Sequence, residues 1–201
     1  MPYITPLTML EAVNELLSSI GQSPVSTLSS SAAIGDVGLA LQFLNSTLRS
    51  VQLHGFAFNT DESYQLQPDI NGRIKVPEGV LKLLPVAGST ATLKQRRHPD
   101  GSWCIWDGDN QTWTFTAPVA FNVVWGFVFD DCPETARNYI TIAAGRKFQM
   151  RTIGAQSLDG YAAEDENKAW TTLQRAERAQ RNTNAFRRNP TMAAATNNRR
   201  Y

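Results

Sequence analysis

The 201-residue chain carries 19 Lys and Arg against 18 Asp and Glu, a net charge of +1, with 42% hydrophobic and 18% charged residues. That is the composition of a folded chain of one or two domains, long enough to bury a core without metals or disulfides. It excludes the collagenous, disordered and disulfide-scaffold classes. Two cysteines, Cys104 and Cys132, are too few for a four-thiolate zinc site, and both are expected to stay reduced. The N-terminus lacks the basic stretch of a signal peptide. The most apolar run, Val119 to Phe129, is half of the roughly 20 residues a spanning helix needs, so a soluble protein with no membrane partner is expected.

Helical signals fill the start of the chain. Thr8 and Glu11 have the spacing of a capping box, and Leu10, Val13, Leu16, Leu17 and Ile20 form one apolar stripe that Gly21 and Pro24 terminate. After a Ser-rich loop, Val37, Ala40, Leu41, Leu44, Leu48 and Val51 predict a second helix from about Ala33 to Leu53, packed antiparallel on the first. From about Asn59 to Asp130 the pattern changes to turns and short strands. Thr92 to Arg97 and Ser102 to Trp106 flank Pro99-Asp100-Gly101 as a hairpin. Val119, Phe121, Val123, Trp125, Phe127 and Phe129 alternate as one long half-buried strand. Helix returns at Asp131, which with Glu134 and Pro133 has the pattern of a second capping box, and this third helix ends at Gly154. A fourth, from about Asp159 or Gly160 to Ala185, has only the thin stripe Ala162, Ala169, Trp170, Leu173 and Ala176. So polar a helix requires a neighbour.

The expected class is α+β: a helical bundle domain from the two chain ends (1–58 and 131–185), a β-rich insertion domain (59–130) and a basic, extended, flexible arm (186–201). Charge is concentrated at that end. Residues 168–201 hold eight basic side chains and one acid, net +7, leaving eleven basic and seventeen acidic over 1–167, net −6. Arg187, Arg188, Arg199 and Arg200 are the candidate partner-binding residues, since guanidinium forks suit carboxylates and phosphates. The readings weighed for this tail are a solubilising segment, an arm that orders on a partner protein, and a direct nucleic-acid contact.

Chemistry is harder to find. Eight aromatics fall between Trp103 and Phe129, but residues 98–136 contain no Lys or Arg, so core packing accounts for them better than a stacking platform. Asp100, Asp107, Asp109, Asp130 and Asp131 sit in turn or cap contexts; as a carboxylate pair they would be the candidates for a hydrolase. His54 follows a helix and His98 precedes a proline, and neither lies near a cysteine in sequence. No catalytic residue, cofactor or metal ligand is expected from these patterns.

Three segments add a resemblance. AVNELLSSIGQSPVSTL (Ala12 to Leu28), FAFNTDESYQLQPD (Phe56 to Asp69) and CPETARNYITIAAGRKFQMRTIG (Cys132 to Gly154) resemble, in collinear order, the tail tubular protein A family of short-tailed, podovirus-type bacteriophages. The resemblance fades through the β insertion and the basic tail. It implies a structural virion protein, not an enzyme. Such a protein would be an adaptor ring of the head-to-tail connector, a dodecamer placed between the portal protein and the tail nozzle (tubular protein B). Genomic DNA would pass through its channel without sequence recognition. The rivals are a tail-associated polysaccharide or peptidoglycan hydrolase using acids around Asp107 and Asp130, and a free DNA-binding protein whose binding depends on the tail after Asn182.

Overall fold

The computed structural model describes residues 3–28, 35–86, 91–154 and 156–188, with the side chains of the last helix described over 163–181. Among the described residues the fold is α+β, with four α-helices and two small antiparallel sheets. It divides into two compact units, Met1–Val51 with Val128–Tyr201, and Gln52–Phe127.

In the first unit, α1 (Met9–Ser19) starts as its sequence dictates. The Glu11 amide donates to the Thr8 hydroxyl at 3.3 Å, and the Thr8 amide donates to the Glu11 carboxylate at 2.8 Å. At its end Gly21 takes φ +76°, and the amides of Gly21 and Gln22 turn back to the carbonyls of Ser18 and Leu17. The loop beyond is pinned by Asn14, whose side chain accepts from the Val25 amide at 2.8 Å and donates to its carbonyl at 3.0 Å. α2 (Asp36–Gln52) begins a few residues later than the sequence suggests, and most of the Ser-rich loop, 29–34, lies outside the described residues.

The principal partner of α1 is α3 (Glu134–Thr152) rather than α2, which corrects the expected pairing of the two N-terminal helices. α4 (Gln156–Arg188) packs on α3 as well. The reason is that α3 buries Ala136, Ile140, Thr141, Ala143, Ala144 and Phe148, mostly small residues spread over a wide arc, so several helices can approach it. From α2, Phe43 meets Phe148 edge-on at 6.3 Å, and Lys147 of α3 donates to the Thr47 hydroxyl at 3.3 Å.

The start of α3 also departs from expectation. Pro133, extended at φ −59° and ψ 150°, is the residue before the helix, and no side chain caps it. Asp131 lies in a separate 3₁₀ turn, Phe129–Asp131, and Glu134 accepts instead from the Leu7 amide at 2.8 Å. A distant strand of chain has taken the carboxylate that the local pattern assigned to a capping box. Arg137 completes the arrangement by donating to the carbonyls of Cys132 (2.6 Å), Leu7 (2.8 Å) and Asp130.

In the second unit, β5 (Val119–Trp125) lies between β1 (Thr60–Leu66) and β2 (Val80–Pro85), antiparallel to both. β3 (Leu93–Arg97) and β4 (Trp103–Asp107) form the expected hairpin, closed by hydrogen bonds between His98 and Ser102 and between Gly101 and His98. The core is Leu66, Ile74, Ile105, Phe121 and Val123, with Leu83, Leu93 and Phe115 packed against it. β5 is shorter than its alternation suggests: Gly126 still donates to Gly79 in line with the Val80–Trp125 pair, but the next amide, that of Phe127, is taken by the Gln52 side chain. Phe129 is buried, but in a 3₁₀ turn rather than on the strand.

Two buried amides close this unit. Gln52 donates to the Phe127 carbonyl at 2.9 Å and accepts from its amide at 2.7 Å. Asn59 donates to the carbonyls of Gln52 (3.0 Å) and Trp125 (2.7 Å) and accepts from the Phe56 amide at 2.9 Å. Leaving a buried polar group unpaired costs about 1–3 kcal/mol. Asn59→Ala, which strands three such groups, is therefore expected to lower the unfolding free energy by about 2–4 kcal/mol. Thr8→Ala at the solvent-facing cap should cost only about 1 kcal/mol. Urea midpoints at constant slope measure both, and an Asn59 effect no larger than the Thr8 effect would contradict this assignment.

Candidate functional site

Most of the acids that could have formed a catalytic pair serve as acceptors for nearby donors. Asp100 accepts from the Ser102 hydroxyl (2.6 Å) and amide (2.9 Å), and its other oxygen accepts from Arg73 at 2.6 Å. Asp107 accepts from the amides of Asp109 and Asn110 and from the Asn110 side chain. Asp109 accepts from the Thr92 amide at 2.7 Å, and Asp130 from the Met9 amide at 2.9 Å. The Ser102 hydroxyl holds Asp100 well below the usual carboxylate range. Hydrogen bonds from Asn110 lower the Asp107 carboxyl from its ordinary value, and bonding to Thr92 lowers that of Asp109. These are anchors of turns, poised to stay ionised rather than to deliver a proton.

A depressed pKa in the folded state contributes stability that is present above the ordinary aspartate value of about 4 and is lost as pH falls through the folded values. The second unit is therefore expected to keep its stability from neutrality down to about pH 4 and to lose it progressively below that. Asp107→Asn should flatten this acid limb. A stability profile that fell between neutrality and about pH 5, unchanged by the substitution, would contradict the assignment.

Both thiols are free and buried. Burial pushes the Cys132 thiol up to about 11, against the opposing pull of Arg137. A buried, protonated thiol is a poor nucleophile. An aromatic disulfide reagent at pH 8 is expected to titrate neither cysteine in the native protein and both in denaturant; rapid native labelling of Cys132 would overturn this. The histidine rings rest on aromatic rings, His54 on Phe56 and His98 on Trp113, the latter with Nδ1 3.1 Å from Asp100. Among the described residues no three His, Cys, Asp or Glu side chains converge as metal ligands, and no helix is long and apolar enough to cross a membrane.

The charged surfaces are more informative. α4, at 33 residues and a rise of about 1.5 Å each, is about 50 Å long. Arg146 of α3 pairs with its Glu166 at 2.9 Å, Tyr139 meets its Trp170 at 4.9 Å, and Ala169 and Leu173 are buried. Glu177, only 8% exposed, pairs with Arg181 at 3.3 Å. The next four positions, 178–181, are all exposed. Arg187 and Arg188 fall in the last helical turn, two to three residues beyond the expected helix end; Arg199 and Arg200 lie outside the described residues. A groove of about 530 Å³ runs between α1, α3 and α4, lined by Glu15, Leu16, Gly145, Arg146, Lys168 and Thr172. Burial there raises the Glu15 carboxyl above its ordinary value.

The aromatic run turns out to be mixed. Phe121 and Phe129 are buried, Trp106 and Trp113 half-buried, and Trp103 is 53% exposed. Strand pairing also brings cations beside it, since β3 sets Lys94 opposite Trp106 and Arg96 opposite Cys104. Scanning residues 98–136 alone for basic residues misses them. The hairpin reading itself, which already set 92–97 against 102–106, held the missing signal.

The residues that carry the sequence resemblance are largely those that build local structure: Asn14 on Val25, Gly21 at a helix end, Asn59 at the closure, Arg137 on three carbonyls, and Phe148 in the core. The chain belongs to the tail tubular protein family, whose model matches residues 10–183. It is thus a structural component of the bacteriophage tail. Comparison with curated proteins gives no match.

Proposed function

We propose that this tail protein is the subunit of a closed adaptor ring seated between the portal and the tail nozzle, part of the channel through which the genome is ejected. The observation that carries the reading is the open turn of α4 at 178–181, in a chain that matches the tail tubular family over nearly its whole length. A helix that polar, exposed over the turn 178–181, is suited to a contact with another subunit. A head-to-tail contact of unlike patches whose rotation closes gives a ring. In this reading the helical bundle domain (1–58 and 131–185) supplies the ring contacts and the β-rich insertion (59–130) meets the nozzle. The basic C-terminal stretch, with Arg187 and Arg188 at the end of α4 and Arg199 and Arg200 farther along the chain, meets the portal. The net −6 of residues 1–167 suits a channel wall that repels DNA weakly and lets it slide. The hydrolase reading has less support, because Asp107 and Asp130 are already acceptors for backbone amides.

Light scattering with negative-stain imaging tests this on the purified chain alone and with portal added. The expected result is a ring, or a 22.3 kDa monomer that the portal recruits into one. A monomer indifferent to portal would overturn the proposal. Reversing the charge of Arg187, Arg188, Arg199 and Arg200 is expected to abolish portal attachment, and attachment left intact would remove the arm from it.

A further inference from the structure

One face of the second unit gathers positive charge from strands far apart in sequence. Successive residues of a strand alternate, so Ser102, Cys104 and Trp106 of β4 share a side. Directly opposed residues of an antiparallel pair share a face, which places Arg96 and Lys94 of β3 on that side. On the other edge of β4, Lys75 bridges antiparallel to Cys104 and joins them. Lys94 and Arg96 are two residues apart on one strand, about 6.8 Å, and Lys75 and Arg96 are two strand spacings apart, about 9.6 Å.

All three cations are exposed. None of them sits within ion-pair distance of a carboxylate among the described residues, but Lys75 lies in the field of Asp69 and Lys94 in that of Asp109, which leaves Arg96 as the least compensated of the three. The neighbouring Arg73 contrasts with them, being neutralised by Asp100 at 2.6 Å and Asp69 at 3.6 Å. Arg96 is held differently: its guanidinium carbon sits 5.7 Å from the centre of the Trp106 ring. Trp106 is itself buttressed edge-on by Trp113 at 4.7 Å, and Trp113 by His98 at 5.1 Å. A guanidinium oriented by a ring rather than by a carboxylate keeps its N–H donors for an outside acceptor.

We propose that the Lys75, Lys94 and Arg96 face binds the phosphate backbone of nucleic acid without reading sequence, with Trp106 as the positioning residue for the Arg96 fork. An acidic protein segment is the competing occupant. Protein interfaces, however, are built around a desolvated apolar centre. Here the exposed positions are the cations, while Cys104 is buried and Trp106 half-buried. A phosphodiester chain repeats its charge at every nucleotide and so meets this spacing in any register. Three contacts make a weak, salt-sensitive hold, compatible with a strand that must keep moving.

The proposal stands apart from the ring and is tested on the isolated full-length chain. A labelled short duplex of arbitrary sequence is titrated by fluorescence anisotropy across a salt series. Lys75→Ala/Lys94→Ala/Arg96→Ala is expected to flatten the plot of log K against log salt by about 2.7, roughly 0.9 per phosphate contact, and to weaken low-salt binding by about tenfold or more. Arg96→Lys, which keeps the charge and loses the fork, should bind severalfold more weakly with an unchanged slope. Urea midpoints check that the variants fold, as their exposed positions imply. No duplex binding by the parent, or a triple variant equal to it, overturns the proposal; in the latter case the binding belongs to the basic C-terminal stretch. Poly-glutamate that binds as tightly as duplex, and is lost in the triple variant, overturns it in favour of an acidic protein.

Discussion

The second unit leaves the helical chain at Gln52 and returns to it at Phe127, and everything between depends on those two points being held together. The Gln52 amide grips the Phe127 peptide by both its carbonyl and its N–H, and Asn59 ties Gln52 to Trp125. Closing a long loop costs conformational entropy that grows slowly with length, so a few buried hydrogen bonds can offset much of it. They also decide where β5 stops. A strand that continued through Phe127 would need the amide that Gln52 has already taken.

Those same bonds mark the boundary between what the sequence discloses and what it hides. The Thr8–Glu11 cap, the Gly21 and Gly154 helix ends and the Pro99-Asp100-Gly101 hairpin are decided within a few residues, and each stands in the structure where its pattern places it. The patterns that mislead involve groups captured from far away. Glu134 has the local signature of a capping partner, but Leu7, 127 positions distant, reaches it first. The alternation from Val119 to Phe129 describes two different environments, a strand and a 3₁₀ turn. Nor could periodicity show that α3, with its spread of small buried residues, rather than α2, would be the principal partner of α1.

The candidate surfaces were less legible than the fold. A census of basic residues along the chain sets Arg96 outside the aromatic run, whereas the antiparallel register sets it over Trp106. The family signature, conversely, was readable because its residues are the ones that shape the backbone. Arg137 is the clearest case, a single guanidinium serving three carbonyls from two separate stretches of chain. Lysine has the charge but not the planar fork, and could not span them in the same way.

The burial of Cys104 and Cys132 has a bearing on the life of a virion. A tail component is made inside a reducing cell and then spends its working existence outside, in aerated surroundings. Accessible thiols there would be liable to cross-link or to gather sulfenic acids. With both thiols enclosed, and that of Cys132 pushed toward its protonated form, neither cysteine presents a ready thiolate to an oxidant in either setting. Shelf life, in such a particle, is set partly by where its sulfur is kept.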